Sequence, residues 1–249
     1  MNPILYGVGV GPGDPELMTV KACRLIRENE VIAVPGKNPR DSVAYQIAVQ
    51  AVPELADKTL VSVDMPMVRD REELRRYHQA AARQLERWLD QGKNVVFLTL
   101  GDPTIYSTFS YLSRIAANDG YSTEMVSGVP SFCAAAARLN LPLAEGSEPL
   151  HIFPVTGTHG RRSAATPQRG TSGGKSSDQE KDGSLTFAAP GNYVLMKTGS
   201  HMAEMRQAIQ ESGKTAAAVE NCGMSDEKVY RTLAEMPDEG GYFSLVVVK

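Results

Sequence analysis

Two apolar runs of this chain each end in the same tripeptide, Gly-Asp-Pro. The first tripeptide, residues 13–15, follows the run at 5–10, and the second, residues 101–103, follows the run at 95–100. If both runs are parallel strands of an open α/β sheet, their carboxyl ends face one crevice, where ligands of such sheets bind. The repetition therefore predicts a single ligand site that is made mostly of backbone.

The second of these loops also carries hydroxyl and aromatic side chains, in the segment LTLGDPTIYSTF at residues 98–109. A small ligand with a base, a sugar and a charged tail needs such a mixture of groups. A structural alternative stays open, in which Asp102 caps a helix and Tyr106 packs in the core. A third loop, residues 127–131, also follows an apolar run, and its Ser131 could bond a ligand through its hydroxyl or its amide.

The glycine-rich first loop fits neither common nucleotide-binding motif. The pattern G-x-G-x-x-G meets Pro12 at its last position when it is read from Gly7, and Asp14 when it is read from Gly9. The next apolar run, residues 31–34, ends without the acidic residue that would hold an adenosine ribose. No Gly-Lys-[Ser/Thr] follows the glycines, which also argues against a P-loop.

No side chain of the chain stands out as a nucleophile or a metal ligand. Cys23, Cys133 and Cys222 are far apart and form no Cys-x-x-Cys or Cys/His spacing, so we predict no metal site and name no catalytic residue. Cys133 lies in an alanine-rich run, which favours a small core residue. The four histidines lie in no catalytic or metal-binding pattern.

The composition is that of a globular chain of 249 residues, 42% of them hydrophobic, with a formal net charge of -3. A mildly acidic average argues against a nucleic-acid partner, because phosphate-driven binding needs a basic face. The amino-terminal residues lack the pattern of a secretion signal, and no run of about 18 apolar residues predicts a membrane span. With an odd number of cysteines and no disulfide pattern, we expect a cytoplasmic protein.

The first half alternates between strand and helix patterns, which is typical of a parallel sheet covered on both faces. We predict a domain at residues 1–128 with strands at 4–10, 31–34, 60–63, 95–100 and 122–126 and helices at 17–27, 42–52, 71–91 and 107–118. Asp14 and Thr19 are competing caps for the first helix.

The second half has a less regular pattern, which predicts a mixed α/β domain at residues 129–249 and a ligand cleft between the two halves. Its helix is expected at 131–139 and its strands at 150–155, 193–197, 216–219 and 242–249, the last of them an edge or antiparallel strand. Residues 157–191 are polar and rich in glycine, so we expect a flexible insertion there.

Four segments, at residues 6–19, 98–111, 126–143 and 194–197, resemble the tetrapyrrole (corrin/porphyrin) methylases. The second segment is more similar to members that methylate C20 of precorrin-2 or cobalt-factor II than to those that methylate C11. The resemblance implies two α/β domains, S-adenosylmethionine as cofactor, a small-molecule tetrapyrrole substrate and a homodimer. Methylation at another ring carbon, another acceptor, and a noncatalytic sensor of adenosyl ligands stay open as alternatives.

The resemblance also implies which residues contact the cofactor. They are Pro12 in the first loop, Leu100, Gly101, Asp102 and Ile105 in the second, Pro130 and Ser131 in the third, and Met196, Lys197, Asn221 and Cys222 in the second half. A substrate with many carboxylates needs local cations. Our candidates are Lys37, Arg40 and Lys197, which could equally be ordinary solvated side chains.

The implied reaction explains why no nucleophile is visible. A sulfonium methyl is already activated, so that an enzyme can act chiefly by holding donor and acceptor in line, which can contribute about 7–11 kcal/mol. The base that finally removes the proton is not identifiable from the sequence.

Overall fold

The computed structural model describes residues 2–66, 68, 70–155 and 187–249. The chain divides into two compact units, Met1–Ser131 and Phe132–Lys249. Each unit contains one five-stranded sheet, the first parallel and the second mixed, which confirms the predicted α/β class. The insertion expected at 157–191 lies outside the described residues, apart from residues 187–191.

All five strands predicted for the first half are present and parallel. They are β1 (Ile4–Gly9), β2 (Val31–Pro35), β3 (Thr59–Val63), β4 (Val95–Thr99) and β5 (Ser122–Val126). Their order across the sheet is β3-β2-β4-β1-β5. Leu5 lies opposite Val95 in the β1–β4 pair, and Ile4 lies opposite Ser122 in the β1–β5 pair.

Helices cover both faces of this sheet, because neighbouring strand residues point to opposite sides. Val96 and Leu98 of β4 pack in the same core as α1 (Val20–Glu28) and α2 (Val43–Ala51). Val95 and Phe97 of β4 pack instead with α3 (Arg71–Leu89) and α4 (Phe109–Asn118). The four helices predicted for this half are therefore present.

Both predicted caps of the first helix are used, each by a different helix. The Thr19 hydroxyl oxygen accepts the Ala22 N–H at 3.2 Å and begins α1. The Asp14 carboxylate accepts the Glu16 N–H at 2.8 Å and begins a short 3-10 helix, Pro15–Leu17.

The chain reverses its direction across the sheet at β1 and β4, which are neighbours. From β1 the chain runs through α1 to β2, past β4, whereas from β4 it runs through α4 to β5, past β1. Ligands of open α/β sheets bind outside the carboxyl ends of the strands at such a reversal. The two Gly-Asp-Pro loops follow β1 and β4, so the connectivity makes them candidates for a ligand site.

The second unit contains β6 (Leu150–Pro154), β7 (Asn192–Met196), β8 (Ala216–Glu220), β9 (Lys228–Tyr230) and β10 (Ser244–Val248), together with α5 (Ser131–Leu139) and α6 (Met202–Ser212). The strand order is β6-β7-β10-β8-β9. β6 and β7 are parallel, and β10 is antiparallel to both β7 and β8. Helix α6 packs on this sheet through Met202, Met205 and Ile209.

The last strand differs from its prediction in one respect. It is antiparallel, as expected, but the suggestion of an edge strand is wrong, because β10 lies between β7 and β8 and all five of its residues are buried. An almost continuous apolar run is typical of a strand that is covered on both faces. In the described part of the chain, no helix combines the length and the apolar character needed to cross a bilayer.

Candidate functional site

The loops after β1 and β4 are joined by backbone hydrogen bonds. The Gly101 N–H donates to the Gly11 carbonyl at 2.7 Å, and the Gly11 N–H donates to the Gly101 carbonyl at 3.3 Å. Gly11 and Gly101 have φ angles of 78° and 70°, which favour glycine. The two tripeptide loops therefore meet at the chain reversal, as the sequence predicted.

The loop after β5 packs against the other two, and only glycines allow the approach. A Cβ atom on Gly128 would lie 2.2 Å from the Gly101 carbonyl oxygen. A Cβ atom on Gly9 would lie 2.5 Å from that oxygen and 2.7 Å from the Gly128 nitrogen. We call the loops after β1, β4 and β5, residues 10–19, 100–108 and 127–131, the glycine cluster.

A buried carboxylate ties two of the three loops together. Asp102 accepts the Thr104 N–H at 2.7 Å through Oδ1 and the Gly128 N–H at 3.1 Å through Oδ2. The N-cap of α4, the helix that follows this loop, is Thr108, so the alternative role of Asp102 as its cap is wrong. Thr19 adds a third link, because its hydroxyl donates to the Ser127 carbonyl at 3.3 Å.

The second loop is anchored to α4 rather than inserted into the core. Ser107 Oγ lies 3.0 Å from Thr99 Oγ1 and accepts the Phe109 N–H at 3.2 Å. Tyr106 has a φ angle of 48° and is 49% exposed, so the suggestion that it packs in the core is wrong. The Phe109 ring occupies the space beside Gly7, where a Cβ atom would lie 2.2 Å from it.

Seven of the predicted cofactor contacts lie in the glycine cluster: Pro12, Leu100, Gly101, Asp102, Ile105, Pro130 and Ser131. Pro12, Gly101 and Asp102 are buried, and the other four are half-buried. The Ser131 nitrogen, at the start of α5, lies 3.9 Å from the position of a Cβ atom on Gly101. The structure thus brings these residues to one edge of the sheet, and their role as cofactor contacts stays a prediction.

Two of the candidate cations for the substrate follow β2, the neighbour of β4. Lys37 is exposed. The Arg40 guanidinium donates to the Tyr45 hydroxyl at 3.2 Å and to the Ala56 carbonyl at 3.3 Å. Arg40 therefore holds its own segment together, an internal role that the sequence did not reveal.

The remaining predicted contacts lie at one edge of the second sheet. Because β7 and β8 are both antiparallel to β10, they are parallel to each other and end at the same edge. The residues that follow them, Lys197 and Asn221, have φ angles of 59° and 52°. Side chains rarely adopt such angles, and they are found mainly in turns and functional sites.

The contacts of these side chains are internal to the second unit. The Asn221 amide donates to the Asp226 carboxylate at 2.6 Å, and Lys197 Nζ lies 5.7 Å from the centre of the Tyr242 ring. Met196 is the last residue of β7, and Cys222 follows Asn221 in the turn after β8. The predicted ligand cleft between the two halves stays a prediction.

Two titratable side chains in the described part of the chain, His78 and Cys133, lie outside these loops. His78 is buried and stacks on Tyr111 with ring centres 4.5 Å apart, and burial lowers the pKa of its imidazole. Cys133 is exposed on α5, so its expected place in the core is wrong. Within the described residues, no three His, Cys, Asp or Glu side chains are grouped closely enough to hold a metal ion.

The chain is a two-unit α/β protein in which three glycine-containing loops meet at the chain reversal of a parallel sheet. The chain belongs to the Tetrapyrrole (Corrin/Porphyrin) Methylases, whose family profile matches residues 4–237. The resemblance read from the four sequence segments is thereby confirmed.

Individual relatives are similar over different shares of the chain. A probable cobalt-precorrin-2 C(20)-methyltransferase of Methanocaldococcus jannaschii is 41% identical over 151 residues, which cover 60% of this chain and 63% of that protein, just under two thirds of its length. The cobalt-precorrin-2 C(20)-methyltransferase of Salmonella typhimurium is 28% identical and covers 100% of this chain and 97% of its own. A solved uroporphyrin-III C-methyltransferase of Thermus thermophilus, in complex with S-adenosylhomocysteine, shares the fold with a TM-score of 0.63 at 21% identity over 99% of this chain and 96% of that one.

Proposed function

We propose that this protein transfers the methyl group of S-adenosylmethionine to C20 of precorrin-2 or of cobalt-factor II, a step of cobalamin biosynthesis. The observation that carries the proposal is the contact of Gly9, Gly101 and Gly128 at the chain reversal of a tetrapyrrole methylase fold. Relatives that align over nearly their whole length are C(20)-methyltransferases, which supports this ring position over the others.

The glycine cluster suits the adenosyl cofactor by its charge. The seven predicted contacts include no lysine or arginine, and their one charged side chain is the buried Asp102. A phosphate ligand would call for cations, whereas a sulfonium ion is itself positive and is repelled by them. The S-adenosylhomocysteine in the solved relative from Thermus thermophilus supports the same cofactor.

When bound, the cofactor supplies an activated methyl group, and the residues of the chain hold the cofactor in place. The backbone of the glycine cluster orients the adenosyl group, and the Asp102 carboxylate holds the second and third loops in register. The half-buried Leu100 and Ile105 offer apolar contact to the base, while Ser131 offers a hydroxyl and an amide. Orientation of this kind can account for a large share of the rate enhancement, about 7–11 kcal/mol.

We also propose a cytoplasmic homodimer. The resemblance to the family supports the dimer. The three cysteines, all within the described residues, form no disulfide with one another, which is usual in a reducing compartment. Light scattering of the purified protein tests the dimer directly.

The reaction is tested by incubating the protein with methyl-labelled S-adenosylmethionine and enzymatically made precorrin-2 or cobalt-factor II, side by side. We expect a gain of one methyl mass, with the label at C20 in the nuclear magnetic resonance spectrum. Label at another carbon, such as C11, would overturn the ring position. Binding of S-adenosylhomocysteine without turnover of any tetrapyrrole would instead favour a sensor.

A further inference from the structure

The turn between β8 and β9 has an uncommon backbone conformation. Asn221 has a φ angle of 52° and Gly223 has one of 77°, so two left-handed residues enclose Cys222. A non-glycine residue at such an angle costs free energy and persists only where its surroundings hold it. Asn221 and Cys222 are both predicted cofactor contacts, so the side chains that hold this turn bear on the site.

One carboxylate, that of Glu227, holds two residues of this turn. Its Oε2 atom accepts the Gly223 N–H at 2.8 Å, and the Cys222 thiol is hydrogen-bonded to the same side chain. The neighbouring Asp226 carboxylate accepts the side-chain amide of Asn221 at 2.6 Å. All three residues of the turn are therefore bonded to two acidic side chains at the end of the same loop.

Glu227 is held in its turn by α5. The Arg138 guanidinium, in the last turn of that helix, donates through Nε to Glu227 Oε1 and forms an ion pair with it. The Glu227 side chain is 15% exposed, whereas that of Arg138 is 59% exposed. Burial by itself would raise the pKa of the Glu227 carboxyl, but the Gly223 N–H and Arg138 lower that pKa below its ordinary value. Glu227 therefore accepts these bonds as a carboxylate.

A second arginine joins the same helix to the residue after β9. The Arg231 guanidinium donates to the Leu139 carbonyl, at the end of α5, at 3.3 Å. The two links differ in what they reach, because Arg138 bonds the residue that holds the turn, whereas Arg231 lies beyond the strand that follows it. Arg231 is therefore a matched control for Arg138.

We propose that Arg138 and Glu227 are positioning residues for the cofactor, which hold Asn221 and Cys222 in the conformation that contacts S-adenosylmethionine. Neither residue is among the predicted contacts, so both act through the turn. The inference rests on the proposed function and extends it to these two side chains. An ion pair with an exposed arginine adds little to stability. Its effect is therefore expected in the affinity for the cofactor, which depends on the geometry of the turn.

The test uses S-adenosylhomocysteine as the probe and compares the wild-type protein with Glu227→Gln, Arg138→Met, Arg138→Lys and the control Arg231→Ala. Calorimetry gives the affinity, and urea denaturation gives the free energy of unfolding. Hydrogen exchange followed by mass spectrometry reports how often the backbone of residues 221–227 opens. Residues 131–139, in α5, serve as the internal reference.

We expect Glu227→Gln to bind S-adenosylhomocysteine about fivefold more weakly, which is equivalent to about 1 kcal/mol. Either orientation of the glutamine amide sets its NH2 group against the Gly223 N–H or the Arg138 guanidinium. In this variant, residues 221–227 should exchange faster than in the wild-type protein.

Arg138→Met should weaken the binding of S-adenosylhomocysteine about threefold while leaving the free energy of unfolding nearly unchanged, since the arginine is exposed. Arg138→Lys keeps the positive charge and should bind nearly as the wild-type protein does. Arg231→Ala should keep the wild-type affinity, because Glu227 stays bonded to the turn.

Three results would overturn the inference. They are a Glu227→Gln variant that binds S-adenosylhomocysteine like the wild-type protein, equal losses of affinity in Glu227→Gln and Arg231→Ala, and a wild-type protein that does not bind S-adenosylhomocysteine. If the variants lose affinity as expected but the wild-type protein methylates no tetrapyrrole, the positioning role stands and the proposed function fails. If precorrin-2 is methylated and the variants bind S-adenosylhomocysteine normally, the reverse holds.

Discussion

At the scale of single residues, the glycine cluster depends on the absence of side chains. Gly128 does not have a positive φ angle, so its backbone conformation is open to other residues. Glycine is needed at this position because there is no room for a side chain: a Cβ atom would lie 2.2 Å from the Gly101 carbonyl oxygen and 2.9 Å from the Gly9 Cα atom. The sequence placed Gly128 in a loop after an apolar run but could not reveal close contact between three loops.

Gly128→Ala should therefore lower the free energy of unfolding by about 1–3 kcal/mol and weaken the binding of S-adenosylhomocysteine. Gly92→Ala is the matched control, because Gly92 has a φ angle of 76° and no atom within 4 Å of a Cβ atom. It should cost about 1–2 kcal/mol through its backbone angle alone and leave the affinity unchanged. Chemical denaturation and calorimetry measure both quantities, and equal affinity in the two variants would remove Gly128 from the site.

The buried His78 should make the stability of the protein depend on pH. Burial lowers the pKa of His78 from 6.5 in the folded state, so the unfolded chain binds the proton more readily. The free energy of unfolding should then decrease as the pH falls below 6.5.

His78→Phe keeps a ring against Tyr111 but cannot titrate, so its free energy of unfolding should decrease less over the same pH range. Urea denaturation at a series of pH values measures the free energy of unfolding of both proteins. Carboxylates are present in both, so they contribute little to the difference between the two curves. Parallel curves would show that His78 does not titrate differently in the two states.

At the scale of elements, the two Gly-Asp-Pro loops look alike in sequence and act differently in the fold. Asp14 caps a local 3-10 helix, whereas Asp102 reaches Gly128, 26 residues further along the chain. A local pattern predicts the first contact, because cap and helix are adjacent. The second depends on β4 and β5 lying on either side of β1, which no local pattern encodes.

Asp102→Asn should weaken S-adenosylhomocysteine binding almost as much as Asp102→Ala. Both carboxylate oxygens accept an N–H, so that either orientation of an asparagine amide sets its NH2 group against a donor. An unsatisfied buried N–H costs about 1–3 kcal/mol, part of which should appear in the affinity.

Asp14→Asn is the matched control for this variant, because asparagine is an equally good cap. It should bind S-adenosylhomocysteine as the wild-type protein does. Calorimetric titrations in which Asp102→Asn and Asp14→Asn behave alike would contradict the separate roles of the two aspartates.

Elements with a regular hydrophobic pattern were predicted from the sequence. Elements whose position depends on distant partners were not. Five parallel strands and four helices of the first unit were predicted, because buried runs alternate there with periodic helices. Helix α6 and strand β9 were not, although Met202, Met205 and Ile209 have helical spacing. The central place of β10 was also missed, since strand order is set by pairing with β7 and β8 rather than by its own residues.

At the scale of the whole molecule, each unit presents its candidate site at the end of its sheet. In the first unit, a parallel sheet brings three loops of backbone together at a chain reversal. In the second, β7 and β8 end at the same edge of the mixed sheet, where the remaining predicted contacts lie. The last strand was predicted to begin at Tyr242, whereas β10 begins at Ser244.

The central claim is that the glycine cluster binds the adenosyl cofactor. A crystal structure of the protein with S-adenosylhomocysteine tests it most directly. The account predicts the adenosyl group against the loops after β1, β4 and β5, in contact with Gly101 and Ser131. Density for the ligand at a place that touches none of these three loops would contradict it.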